Sequence, residues 1–167
     1  MSVVHIRPAT LTDVGQILCF IRELAIYEKA EHEVVASADD IRERMFGDDV
    51  RVHGLMAEVD GQPVGFAVYF LSFSTWLGTL GLFLEDLYVS PAARGQGVGK
   101  QLLRHLAGLA VARGYGRFEW NVLDWNQPAI DFYESVGAKA QSEWIGYRLE
   151  GDALATFAAG AAVDSPG

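Results

Sequence analysis

Apolar and polar positions alternate from Val3 to Arg7, which predicts a first β-strand. The period then lengthens. Val14, Ile17, Leu18, Ile21, Leu24 and Ala25 form one stripe of a helix running to about Tyr27, and Thr10 with Asp13 ahead of it is a capping-box pattern. A polar loop with Glu31, His32 and Glu33 follows. Ser37 with Asp40 opens a short second helix that turns Ile41 and Met45 inward and stops at Gly47. Strand patterns come next: Val52 to Val59, an Asp60-Gly61 hairpin turn, Pro63 to Phe73, a turn from Ser74 to Gly81 around Trp76, and Leu82 to Val89. Leu102, Leu103, Leu106 and Leu109 mark a long helix to about Arg113. Arg117 to Leu123 reads as a strand. A helix with Pro128 in its first turn carries Ile130, Phe132, Tyr133 and Val136 and ends at Gly137. Trp144 to Leu149 reads as a last strand, Ala153 to Ala162 as a short helix, and Val163 to Gly167 as a disordered tail. The order is βααββββαβαβ, which allows one strand more than the stretches named. With no internal repeat and no linker, residues 1–167 are expected to be a single domain with its core in 1–150. Its class is α/β in the α+β sense, a mixed sheet with helices on both faces.

The chain is organised around Leu82 to Lys100. Ser90 and Pro91 end the strand, because proline cannot donate to a ladder. Arg94-Gly95-Gln96-Gly97-Val98-Gly99-Lys100 then leads into the long helix. A bare helix start presents unpaired N–H groups and the positive end of the dipole, so it suits an anion, and glycines let a phosphate come close to backbone. Two familiar phosphate motifs do not fit. A P-loop would need glycine where Arg94 stands and Ser or Thr where Gln101 stands, and a dinucleotide fingerprint would need its third glycine one residue later.

A second stretch runs from Leu123-Asp124-Trp125-Asn126-Gln127-Pro128 through Phe132-Tyr133 to Gly137. Asn126 and Tyr133 lie seven residues apart, about two helical turns, so both can point to one side. Read alone, Tyr133 is better taken as an ordinary core aromatic of an amphipathic helix. Arg94 to Gly99 has the form R-x-x-G-x-G, and together with N-x-x-A-x-x-F-Y it resembles the GCN5-related N-acetyltransferase superfamily. Tyr27-Glu28, Trp76-Leu77-Gly78, Leu84-Glu85-Asp86-Leu87-Tyr88-Val89 and Asp124-Trp125-Asn126-Gln127 are similar to its diamine (spermidine/spermine) and thialysine N-acetyltransferase branch. The resemblance spans about Val3 to Leu149.

The resemblance implies a mostly antiparallel sheet whose middle strands splay apart to admit acetyl-CoA as co-substrate. It implies cofactor contacts from Leu87, Tyr88, Val89, Arg94, Gly95, Gln96, Gly97, Val98, Gly99, Lys100, Asn126 and Tyr133. It implies an amine pocket with Tyr27, Glu28, Trp76 and Glu85, and a homodimer. In polyamine-using members an acidic residue stands two positions before the loop tryptophan. Here that position is Ser74, which favours a short amine over a long polyamine.

Making an amide from a thioester requires an amine stripped of its proton, a stabilised oxyanion and a stabilised leaving thiolate. Glu85 is the candidate base, directly or through a water, because a carboxylate inside an apolar strand is costly unless used or paired. Asp86 is the alternative base or a structural residue. Strict alternation would put Glu85, Leu87 and Val89 on one strand face, and Asp86 and Tyr88 on the other. Tyr133 is the candidate proton donor to the sulfur, and backbone N–H groups near Leu87 to Val89 the candidate polarisers of the carbonyl.

Composition narrows the alternatives. A formal charge of −9 over 167 residues argues against nucleic acid and suits cationic small molecules. No apolar run has the length of a membrane span, and the first residues lack the apolar core of a signal peptide. Cys19 is the only cysteine, so a reducing, cytoplasmic setting is expected. His5, His32, His53 and His105 have no ligand spacing, so no metal is expected. Two other readings stay open: a degenerate acyl-CoA-binding module, and a protein lysine or N-terminal acetyltransferase.

Overall fold

The computed structural model of the chain describes residues 2–160. Its strands are β1 (Val4–Pro8), β2 (Val52–Val59), β3 (Gln62–Ser74), β4 (Thr79–Val89) and β5 (Phe118–Trp120). Its α-helices are α1 (Val14–Tyr27), α2 (Ala38–Phe46), α3 (Val98–Ala112), α4 (Gln127–Ser135) and α5 (Gly151–Ala158). The strands form one sheet in sequence order, antiparallel from β1 to β4 and parallel between β4 and β5. The chain divides into two compact units, Met1–Leu123 and Asp124–Gly167. Among the described residues no helix is long and apolar enough to cross a membrane.

In the first unit both capping boxes form. The Asp13 carboxylate accepts from the Thr10 N–H, and the Asp40 carboxylate accepts from the Ser37 N–H. The Arg7 guanidinium also donates to Asp13 and to Glu58, pinning β1 to β2 and to the start of α1, and holds the Asp13 carboxyl below its ordinary range. One sheet face buries Met56, Phe66, Val68 and Tyr88 against Val14, Ile17, Leu18 and Phe20 of α1 and Ile41 and Met45 of α2. The other face carries Leu55, Ala57, Ala67, Leu82 and Leu84, also buried. There α3 packs across the strands and brings Val98, Leu102, Leu103, Leu106 and Ala110 to cover them. The Asp60-Gly61 hairpin turn has both residues at positive φ, 51° and 75°, as a tight two-residue hairpin requires.

Two features position the site. Pairing of β4 with β5 covers only Leu82–Leu84 against Phe118–Trp120, so β4 runs on to Val89 with no strand paired to that edge among the described residues. In addition, Val68 pairs with Asp86 and Tyr69 with Leu84, which leaves Glu85 as an extra residue, a β-bulge. The bulge shifts the phase of the strand. Leu82 and Leu84 share a face with Leu87 and Val89, while Asp86 and Tyr88 turn towards α1 and α2.

Several sequence expectations are corrected. Three strands, not four, separate α2 from α3, because the stretch from Ser74 to Gly81 is a hairpin tip absorbed by the ends of β3 and β4. β5 is shorter than Arg117 to Leu123, and it lies at the sheet edge. Residues 144–149 form no strand, since strand propensity yields a ladder only where a neighbouring backbone accepts it. The last helix is α5, beginning at Gly151, and the tail at 163–167 lies outside the described residues.

Candidate active site

The end of α1 meets the second half of β4. Tyr27 closes α1 and is 42% exposed, and Glu28 follows it, half-buried. Across from them Glu85 projects from the bulge into solvent, and Asp86 is half-buried on the helix-covered face. The three carboxyls lie close enough to repel. Burial, then Glu85, then Glu28 push the Asp86 carboxyl up from 3.8 to about 6. Burial and Glu85 raise Glu28 as well. Repelling carboxylates favour a shared proton and a bound cation, which is the setting an ammonium needs if it is to be held and then deprotonated.

Beyond Val89 the chain turns through Pro91–Ala93 and reaches the glycine loop. Gly95 and Gly97 take positive φ, 81° and 77°, and Gly97 is the N-cap of α3 with no side chain to cap it. No atom lies within 4 Å of where a Cβ would sit on either glycine, so conformation, not crowding, selects glycine at both positions. The first backbone bond of α3 runs from the Gln101 N–H to the Gly97 carbonyl. Ahead of it the N–H groups of residues 95–100 have no backbone acceptor among the described residues. Gln96, Gly97 and Lys100 are exposed, whereas Val98 is buried and anchors the turn. A run of unpaired amides at a helix start beside two left-handed glycines fits a diphosphate.

Arg94, at the head of the loop, does not reach towards those amides. Its Nε donates to the Val89 carbonyl at 3.0 Å, and its guanidinium lies over the rings of Tyr27 and Tyr88. Nothing in the sequence signals this contact, because no local pattern links the end of α1 to the loop. The bulge at Glu85 was equally hidden; its one trace is an acidic pair inside an otherwise apolar strand.

Trp76 stands elsewhere. It is 78% exposed at the tip of the β3–β4 hairpin, and Ser74 closes that tip by accepting from the Leu77 N–H. Glu85 lies six residues along β4 from Thr79, roughly 20 Å of strand, so one chain does not bring Trp76 to the carboxyl cluster. In the second unit, Asn126 is the N-cap of α4, and Tyr133 lies on the same helix with its ring 5.8 Å from Phe132. No group of His, Cys, Asp and Glu suited to a metal ion occurs among the described residues.

Comparison with known proteins bears on this geometry. Residues 20–138 match the acetyltransferase (GNAT) family. The thialysine N-epsilon-acetyltransferase of Sus scrofa is 40% identical over 95% of this chain and 99% of its own length. The spermidine/spermine N(1)-acetyltransferase-like protein 1 of Homo sapiens is 35% identical over 89% of this chain but 22% of its own length. Among solved structures, an integron cassette protein from the mobile metagenome of V. cholerae superposes with a TM-score of 0.78. It is 30% identical, over 93% of this chain and 97% of that one.

Proposed function

This chain belongs to the acetyltransferase (GNAT) family and is an N-acetyltransferase, and on that premise we propose that it acetylates a small primary amine at the expense of acetyl-CoA. The reading covers both units as one acetyltransferase domain, since the family match runs across their boundary. The observation that carries it is the mutual repulsion of Glu28, Glu85 and Asp86 where the end of α1 meets β4, the strand that leads into the glycine loop at the start of α3.

Acetyl-CoA supplies a thioester whose carbonyl carbon accepts the amine nitrogen and whose C–S bond breaks. The amides of residues 95–100 hold the diphosphate, and the unpaired edge of β4 at residues 87–89 offers N–H groups to the pantetheine arm and the carbonyl. Glu28 and Asp86 attract the ammonium, and Glu85 takes its proton, directly or through a water. Tyr133 returns a proton to the sulfur as it departs. Asn126 sits on the same helix for a cofactor contact.

The thialysine acetyltransferase likeness supports a lysine-like amine or a short diamine as substrate. The hydroxyl of Ser74, already accepting from Leu77, brings no charge for a second ammonium. A homodimer in the cytoplasm completes the reading. Exposed Phe73 and Trp76 on the hairpin tip, and Ile145 and Tyr147 on the unladdered segment 144–149, support self-association. The test is kcat/KM for thialysine, lysine, ornithine, putrescine, spermidine and spermine on one preparation, with mass by light scattering. Thialysine or lysine is expected to lead from a dimer. No turnover of any of the amines defeats the proposal, and a preference for spermine defeats its substrate part.

A further inference from the structure

Arg94 is engaged on its protein side. The guanidinium carbon lies 5.4 Å from the Tyr27 ring centroid and 5.7 Å from that of Tyr88, with Nε fixed on the Val89 carbonyl. The two rings differ in kind. Tyr88 is buried in the core, its ring 5.6 Å from Phe20, with Glu23 and Arg94 both acting on its hydroxyl. Tyr27 stands half in solvent next to Glu28. Arg94 therefore joins a rigid ring to an exposed one, and the exposed one borders the acidic pocket. A cation between two aromatic faces holds both, and more strongly where water is partly excluded.

We infer that the Arg94 side chain is a positioning residue for the amine substrate: it fixes Tyr27 beside Glu28, while the backbone of the following loop holds the anion. This rests on the proposed amine pocket. It makes amine affinity depend on a residue that the motif alone would assign to the cofactor.

Arg94→Met keeps the stem and removes charge and donors. At saturating acetyl-CoA its KM for thialysine is expected to rise between about threefold and thirtyfold, the range of a cation–π contact. kcat and calorimetric affinity for CoA should stay within about threefold, below the smallest effect expected for the amine. Arg94→Lys keeps a cation over the rings and should recover most of the lost affinity. Arg94→Met placed on Tyr27→Leu should add little to the loss from Tyr27→Leu alone. A large fall in CoA affinity with an unchanged amine KM would make Arg94 an anion ligand and overturn the inference, as would additive losses in the double variant. Fluorine NMR of fluorotyrosine-labelled protein gives a readout independent of turnover. The Tyr27 resonance, assigned by its loss in Tyr27→Phe, should move in Arg94→Met and in Arg94→Lys to a smaller extent. An unmoved resonance refutes the contact. An inert wild-type enzyme refutes the amine-acetyltransferase reading separately, and the resonance then still reports whether Arg94 orders Tyr27.

Discussion

Asp86→Asn is expected to stabilise this protein, and by an amount that depends on pH. The carboxyl sits half-buried opposite Val68, with its ionised form disfavoured by burial and by Glu85 and Glu28. Its folded value of about 6, against 3.8 when unpaired, means that the folded state binds a proton more tightly than the unfolded chain does. Stability from this group is therefore fully present below pH 3.8 and is lost as pH rises through about 6. At about 1.4 kcal/mol per pH unit, the gap corresponds to a penalty of about 3 kcal/mol at pH 8 as a ceiling. Partial exposure and relaxation lower it to about 1–3 kcal/mol. Asparagine keeps the shape and cannot ionise, so it escapes the penalty. Urea unfolding of both proteins from pH 4 to pH 8 measures this directly. The two curves should agree near pH 4, separate between about pH 4 and pH 6 and keep that gap to pH 8, with the variant the more stable. Parallel curves, or a wild type that gains on the variant as pH rises, would refute the placement of Asp86. Above about pH 6 the same substitution removes a charge from the amine pocket, so kcat/KM for the amine should fall there.

Other perturbations separate the loop from the fold. Gly97→Glu sets a negative side chain and a positive-φ penalty at the N-cap of α3 and should abolish CoA binding in a folded protein; unchanged calorimetric affinity counts against the diphosphate site. Gly65→Ala drives a Cβ to 2.7 Å from the Tyr88 carbonyl oxygen, which is backbone and cannot yield cheaply. It should cost about 1–3 kcal/mol in denaturant unfolding, and an unmoved midpoint would contradict the close β3–β4 approach. Tyr133→Phe should lower kcat by roughly 10²–10⁴ with little change in CoA affinity, and near wild-type turnover would return Tyr133 to a packing role.

Local rules made much of the first unit legible. The stripes that predict α1 and α2 are the residues buried against the sheet, and both capping boxes form where Thr10/Asp13 and Ser37/Asp40 stand. The Asp60-Gly61 turn fixes the β2–β3 hairpin because only a two-residue, positive-φ turn matches strand twist. What stayed hidden depends on neighbours distant in sequence. Alternation carried unbroken through Leu82 to Val89 describes each half of β4 correctly but joins them in the wrong phase, because the extra residue at Glu85 is defined only by the register of β3. Segment 144–149 has the residues of a strand and lacks the partner that would make it one. For Arg94 the sequence supplies a glycine-loop neighbour, whereas the contact that occupies its guanidinium comes from Tyr27, the last residue of α1.

The departures from local consistency crowd into one stretch, from Glu85 to Gly97. A bulge breaks the ladder, a carboxyl is held near neutrality by like charges, and amides at a helix start go without backbone acceptors. Glycine elsewhere in the first unit is often a matter of room. A Cβ on Gly54, Gly81 or Gly116 would lie under 3 Å from a side chain, so packing alone explains them. At Gly95 and Gly97 the surroundings are open, and the backbone conformation itself is what must be kept. A fold selected only for stability would close the ladder and neutralise Asp86, since each change is available at one position and each stabilises. Their retention together on the open edge of β4 is the pattern expected where strain and unsatisfied groups are reserved for a ligand. It follows that stability and turnover should move in opposite directions for substitutions that remove the charge of Glu85 or Asp86. Substitutions in the cores under α1, α2 and α3 should lower both, because there the same contacts hold the fold and the site.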